Sequence, residues 1–260
     1  MSQPLQFFAK KKDPEELRSK ILEVTSGRSE SYSVLVADYT SDFRLGMSET
    51  EIFDAASVNK IPILAAVYHF ADRGEVDFSR IITLQAKDTQ NYGTGSIRYD
   101  PPGSTYSIKT LAKLMIAKSD NTAAYLLASQ IIGLPKIQTL INSWGLTQTD
   151  MNKNTTSNVD TELVFRKIIK GELTNQAQTT EILGFMKDTD FEDRLPALLP
   201  DTAIAYHKIG TVVGGIHDAG VIQGPKSKYY IGIFTRDASN EAGTVETITK
   251  ISKIVWDFMN

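Results

Sequence analysis

The chain has 260 residues, 41 % hydrophobic and 23 % charged, with a formal net charge of -3 at pH 7. That composition is ordinary for a folded globular protein and allows one sizeable core or two packed lobes. The slightly acidic balance, with no dense Lys/Arg stripe, argues against a nucleic-acid surface; Lys10-Lys11-Lys12 reads as a solvated tail. There are no cysteines, so disulfides, thiolate catalysis and Cys-based metal sites are excluded. His69, His207 and His217 lack metal-ligand spacing, and neither a metal nor another cofactor is expected. No apolar run approaches the roughly 18 residues that a bilayer span requires. Pro4 to Ala9 is too short for a signal peptide and precedes the basic cluster. The chain reads as cytoplasmic as it stands, or as a mature exported form (periplasmic or extracellular) behind an added methionine.

In chain order, Asp13 to Ser26 predicts a helix: Asp13 caps it, Pro14 suits its first position, Glu15 and Glu16 its positive end, and Gly27 stops it. Tyr32 to Tyr39 is β-branched and apolar, with Asp42 to Met47 as its hairpin partner. A long helix is expected from Ser57 to near Gly74. Thr83 to Ser107, with Gly93, Gly95, Pro101, Pro102 and Gly103, reads mainly as loop, and a loop of this length is often functional. Helices are expected over Ile108–Lys118, Asn121–Ile132, Pro135–Trp144, Asn158–Lys170 and Asn175–Lys187. Strands follow at Ala203–Ile209, His217–Gln223 and Tyr229–Arg236, with turns at Gly214-Gly215 and Gly224-Pro225. A last helix spans Thr244 to Phe258. The strands thus lie at both ends of the chain. The expected fold is α/β (α+β): an antiparallel sheet from residues 1–50 and 200–260 flanked by terminal helices, and an inserted all-helical lobe from residues 51–199.

Ser57 and Lys60 open the apolar run Val58 to Phe70, and on a helix they share a face. A serine hydroxyl becomes a useful nucleophile when an adjacent base takes its proton, and a lysine in an apolar setting with a lowered pKa can be that base. Such S-x-x-K spacings are also common in ordinary amphipathic helices. Ser119-Asp120-Asn121 falls at a break between helices. It can project a hydroxyl and an amide into a cleft, or simply cap a helix. Lys208-Ile209-Gly210-Thr211 lies on a strand whose glycine permits close approach, or is an ordinary exposed strand end.

Taken together, S-x-x-K, S-D-N and K-[ST]-G in this order form the signature of class A β-lactamases and penicillin-binding proteins. The sequence resembles the class A β-lactamase family over nearly its full length, including Tyr99-Asp100-Pro101-Pro102-Gly103, Asp193-Arg194-Leu195-Pro196 and His217-Asp218-Ala219-Gly220. The resemblance implies a β-lactamase/D,D-peptidase-like fold with the active site between the two lobes. It implies Ser57 as the acyl-accepting nucleophile, Lys60 as a contributor to its deprotonation, and Ser119 as proton donor to the leaving nitrogen. Asn121 would bind the substrate's amide side chain and Lys208 would supply positive potential. The backbone N–H groups of Ser57 and Thr211, next to Gly210, would form the oxyanion hole. Tyr92 either lines the cleft or is an exposed loop tyrosine.

The sequence departs from the family in three places. The segment from Trp144 to Ser157 has no glutamate and no E-x-x-x-N to position a deacylating water. Its nearest carboxylates are Asp150, Asp160 and Glu162, the last two read as exposed. Ile209 stands where the family has Ser or Thr. His217 stands near where many members place an anion-binding arginine, or is a solvated strand histidine. The expected function is therefore a serine acyl-hydrolase that forms an acyl-ester at Ser57, with weak or no ordinary β-lactam turnover. The alternatives are a D,D-peptidase or esterase, a penicillin-binding or sensing protein that acylates once, and a pseudoenzyme. The expected partner is a small β-lactam, peptide or ester, with no nucleic acid and no metal, and a monomeric state.

Overall fold

The computed structural model describes residues 12–260. Of the basic triplet, Lys10 and Lys11 lie outside the described residues, as does Pro4 to Ala9. Lys12 is not simply solvated: its Nζ donates to the Met259 carbonyl oxygen at 2.9 Å, at the end of the last helix.

The chain begins with α1 (Pro14–Thr25), capped by the Asp13 carboxylate accepting from Glu15 N. It continues through β1 (Ser31–Asp38), β2 (Arg44–Met47) and the short β3 (Ile52–Asp54). A 3₁₀ turn, Ala56–Asn59, leads into α2 (Lys60–Asp72). Then come β4 (Ile81–Thr83), β5 (Thr105–Ser107), α3 (Ile108–Ala117), α4 (Asn121–Tyr125) with a π-helical continuation over Leu126–Ile132, and α5 (Leu134–Ser143). The rest is β6 (Thr155–Ser157), α6 (Asn158–Ile169), α7 (Gln176–Phe185), β7 (Ile204–Val212), β8 (Gly215–Gln223), β9 (Lys228–Arg236) and α8 (Glu241–Met259). No helix of the described residues is long and apolar enough to cross a membrane.

Strands β1, β2, β7, β8 and β9 form one antiparallel sheet in the order β2-β1-β9-β8-β7. The sequence places those strands at the two ends of the chain, and they pair with one another through β1 and β9. Side-chain alternation divides the sheet cleanly, because successive Cβ atoms point to opposite faces. Val34, Val36, Ile231 and Ile233 pack with Leu17 and Ile21 of α1 and Ile248, Ile251 and Val255 of α8. Leu35, Ala37, Tyr230 and Phe234 face the other way, into the core shared with the helices from the middle of the chain. A sheet covered on both faces explains why β1 reads as a nearly continuous apolar run.

Helix α2 is the axis of that second core. Residues Ile61 to Tyr68 are all buried, and so is Lys60 at its start. An apolar stripe wrapping the whole helix is what burial on every side demands. Thr83–Ser107 is mainly loop, as expected, with two short 3₁₀ turns, and its ends meet where β5 pairs with β4, strands of three residues too short to display an alternation. Two helix expectations are corrected. The helix expected from Ser57 instead begins with a 3₁₀ turn, and the helix from Asn121 is α-helical only to Tyr125.

Candidate active site

Ser57 sits half-buried in the 3₁₀ turn between β3 and α2. The turn is held from two sides. Ala55 N donates to the Asn154 carbonyl oxygen at 2.8 Å, and Asn154 Nδ2 donates to the Ala56 carbonyl oxygen at 3.2 Å. Ala56 has φ +47°, a left-handed conformation that a non-glycine residue adopts at a cost. From the sheet side, β7 presses against the turn at Gly210. A Cβ there would lie 3.0 Å from the Ala55 carbonyl oxygen and 3.1 Å from Val58. Glycine at 210 thus eases a close approach that any side chain would crowd, the reading the strand position suggested.

One turn on, the buried Lys60 ammonium donates to the Ser119 carbonyl oxygen at 2.6 Å, to Asn121 Oδ1 at 2.7 Å and to Ser119 Oγ at 3.3 Å. Burial lowers its pKa to about 7, against an opposing attraction from Asp120. Ser119 also has positive φ, +50°. Both readings of the Ser119-Asp120-Asn121 triplet hold. Asp120 is the N-cap of α4, its Oδ1 accepting from Ala123 N at 2.9 Å, and the flanking Ser119 and Asn121 face the cavity. Asp120 Oδ2 meanwhile accepts from the backbone N–H groups of Ser96 and Ile97 at 2.7 and 2.9 Å. That clamp docks the 92–97 loop, and it needs Gly95 at φ +120°, where a Cβ would fall 2.4 Å from the Asp120 carboxyl group. Asn121 Nδ2 donates to the Tyr92 carbonyl oxygen at 2.9 Å. Tyr92 is both exposed and part of the cavity wall.

On the opposite flank, β7 contributes Ile209, Thr211 and Val212 to the wall. Lys208 is buried and stands one layer behind it, its Nζ donating to the Ile209 carbonyl oxygen at 3.2 Å and lying 5.7 Å from the Phe191 ring centroid. It is not the exposed strand end that its position allowed. Burial, the Lys60 charge and Arg194 hold its pKa well below the usual lysine value, although Asp218 pulls the other way.

Two features of this flank escaped the sequence. His217 is neither solvated nor anion-binding: it is buried within the sheet, Nε2 donating to the Asp54 carbonyl oxygen at 2.8 Å and Nδ1 accepting from Thr235 N at 3.1 Å. Burial lowers its pKa to about 4, so the ring is neutral at ordinary pH. The cation is Arg194, from the loop before β7. Its Nη2 donates to Thr211 Oγ1 at 2.7 Å, and its Nη1 to the carbonyl oxygens of His217 at 2.7 Å and Gly210 at 3.0 Å. The signal was the Asp193-Arg194-Leu195-Pro196 match, but separation by 17 residues from Thr211 hides the partnership.

The segment before β6 closes as a small turn, Asp150 and Thr155 exchanging both backbone hydrogen bonds. Inside it, Met151 and Asn154 face the cavity. The Asp150 carboxylate turns away to accept from the Asn152 and Lys153 backbone N–H groups. Asp160 and Glu162 were expected to be exposed and are buried instead, because α6 packs against the sheet. Asp160 accepts from Gln148 N and Thr149 Oγ1, each at 2.8 Å; Glu162 lies 3.5 Å from Arg166 and 3.7 Å from Arg44. The cavity, about 660 Å³, thus joins Ser57, Lys60, Ser119, Asn121, Tyr92 and Thr211, and among the described residues no carboxylate or histidine lines it.

The model of the beta-lactamase enzyme family matches residues 16–259. The chain belongs to this family. The family's serine hydrolases share the mixed α/β architecture seen here. The extended-spectrum beta-lactamase PER-1 of Pseudomonas aeruginosa is 23 % identical over 267 residues, covering 93 % of this chain and 87 % of that protein. Among solved structures, PBP-A superposes with a TM-score of 0.87 at 27 % identity, covering 98 % of this chain and 97 % of PBP-A. A PBP-A mutant, described as an acyl-enzyme complex with penicillin G, gives 0.85 at 26 %, covering 94 % and 95 %. The β-lactamase from Sphaerobacter thermophilus gives 0.87 at 22 %, with 94 % and 97 % covered, a likeness of fold.

Proposed function

We propose that this member of the family forms an acyl-ester at Ser57 from a β-lactam, peptide or ester and releases it slowly. Ser57 Oγ attacks the carbonyl carbon while its proton passes to neutral Lys60, directly or through Ser119. The tetrahedral oxyanion is held by the backbone N–H groups of Ser57 and Thr211, the interaction that usually contributes most to acyl transfer. Collapse breaks the bond to the leaving nitrogen or oxygen, which takes its proton from Ser119 as the Lys60 ammonium returns one to Ser119 and becomes neutral again. Asn121 orients the acyl side of the substrate. The anionic leaving side lies towards Thr211, backed by Arg194 and Lys208. Every step is carried by side chains and backbone N–H groups.

The observation that carries this reading is the cavity wall, which unites the acylating groups and holds no carboxylate to activate water for the second step. General-base assistance is worth roughly 10²–10⁴ in rate, and a misplaced water loses more. The similarity to PBP-A favours a D,D-peptidase or a penicillin-capturing protein as the second reading. Intact-mass spectrometry after incubation with a penicillin and desalting tests the reading: the protein should gain one intact drug, lasting minutes to hours, and Ser57→Ala should gain none. Return to the free mass within seconds, with nitrocefin hydrolysed continuously, would make it a working β-lactamase. Labelling of Ser57→Ala at the wild-type rate would sink the nucleophile assignment.

A further inference from the structure

The cavity has a second arm that the acylation chemistry does not use. Past Lys60, its wall is Ile63, Ala124, Ala128, Leu134 and Met151, with Tyr125 and Ser129 beside them. Ala124 and Ala128 lie one turn apart where α4 passes into its π-helical continuation, and their small side chains leave the arm open. Ile63, Ala128 and Met151 are each less than a tenth exposed. The two flanks of Ser57 therefore differ in kind. The β7 flank has a hydroxyl bonded to the Arg194 guanidinium; the α4 flank carries no charge past Lys60 and is mostly hydrocarbon.

We propose that this arm receives the acyl chain of the natural substrate, and that the chain is an unbranched or flat apolar group. The inference rests on acylation at Ser57 as proposed above. Once the ester has formed, the acyl group must stay within the cavity, bonded to Ser57 Oγ, while the leaving half departs. An anionic leaving half is drawn to the Thr211 flank, which leaves the apolar arm for the acyl half. A charged acyl group would lose hydration there without finding an opposite charge, the only polar neighbours on that flank past Lys60 being the neutral Tyr125 and Ser129. An apolar one gains about 0.8 kcal/mol per methylene buried, equivalent to roughly fourfold in acylation efficiency.

A series of p-nitrophenyl esters (acetate, butyrate, hexanoate and octanoate) tests this, with the p-nitrophenol burst and the intact mass read together. Acylation efficiency should rise by roughly fourfold per methylene until the arm is full, and then fall. Ala128→Phe, which fills the arm, should lower the hexanoate-to-acetate ratio at least tenfold. Met151→Ala, which lengthens it, should move the optimum to a longer chain, and guards against misfolding of the first variant. A wild-type preference for acetate, or a ratio within twofold of wild type in both variants, would overturn the inference while leaving acylation at Ser57 standing. If no ester, acetate included, labels Ser57, the acylation reading itself fails and takes this inference with it.

Discussion

Lys60 shows how much a single residue's chemistry depends on its surroundings. As an ammonium it spends its protons on Ser119 and Asn121, and in that state it cannot act as a base. Removing one proton frees a lone pair. The longest of its contacts, 3.3 Å to Ser119 Oγ, is the one best able to reverse, with the serine then donating to the amine. Because burial brings its pKa to about 7, the acylation rate should fall tenfold per pH unit below about 7 and level off above it. Stopped-flow acylation across pH 5 to 9 checks this; a rate flat through pH 5 would mean that Lys60 is not the base. Arg194 invites a second test. Its fork fixes Thr211 and the turn of β7 together, geometry that lysine cannot copy. Arg194→Gln should weaken binding of an anionic penicillin by about 1.5–3 kcal/mol, one to two powers of ten, and Arg194→Lys should not restore it. Acylation by p-nitrophenyl acetate, which carries no anion, should change far less. Equal losses on both substrates would reduce Arg194 to a purely structural part.

At the scale of elements, the short turn between α5 and β6 decides which of its side chains meet the cavity. Its backbone closes at Asp150 and Thr155, so the side chains reaching the cavity are Met151 and Asn154, while Asp150 is consumed by the turn's own N–H groups. Asn154 from the same turn ties down the nucleophile's 3₁₀ turn. A carboxylate at 151 would stand on the wall that now has none. Met151→Glu should therefore shorten the life of the penicillin adduct at least tenfold, read as recovery of the free mass over time. An adduct lasting as long as in wild type would show that an oriented water, not a base, is missing. That the segment from Trp144 to Ser157 contains no glutamate could be read directly from the sequence. What hid its consequence was the direction of each side chain, which depends on the 150–155 pairing rather than on residue order.

At the scale of the whole molecule, a charge cluster of buried His207 and Asp218 with the exposed Glu192 ties the loop before β7 to the sheet. His207 Nδ1 lies 2.9 Å from Asp218 Oδ1 on β8, and its Nε2 lies 3.3 Å from Glu192 Oε1. Burial alone would lower the histidine's pKa, but these two carboxylates outweigh it and raise the value to about 9. Between the unfolded pKa near 6.5 and about 9, the folded state binds more protons than the unfolded one, so stability from this group is full below the window and is lost as pH rises through it. Lys60 and Lys208, with lowered values, act in the opposite sense above neutral pH. The test is therefore a difference: the melting-temperature gap between wild type and His207→Gln should be largest near pH 6 and shrink by pH 9.5. A gap independent of pH would mean that His207 is neutral in the folded protein.

The sequence by itself determined the Ser57–Lys60 spacing, the capped turn at Ser119-Asp120-Asn121, the sheet strands and most helices, and so the family. These features are local. Caps, periodicity and three-residue motifs depend on neighbours along the chain, which is why they could be read without coordinates. Tertiary structure decided which side chains meet across the chain, and there residue order misleads. Arg194, and not His217, supplies the cation behind Thr211, because β8 turns His217 into the sheet while the preceding loop swings Arg194 beneath β7. Asp160 and Glu162 look like surface carboxylates on a polar helix, yet packing of α6 on the sheet buries both. Lys208 sits on an inviting strand motif yet is buried, sharing its strand face with Gly210 and feeling the Lys60 charge, while Ile209 and Thr211 line the cavity. Each of these outcomes turns on the packing of one element against another distant in sequence, and that packing leaves no mark on the local pattern of residues.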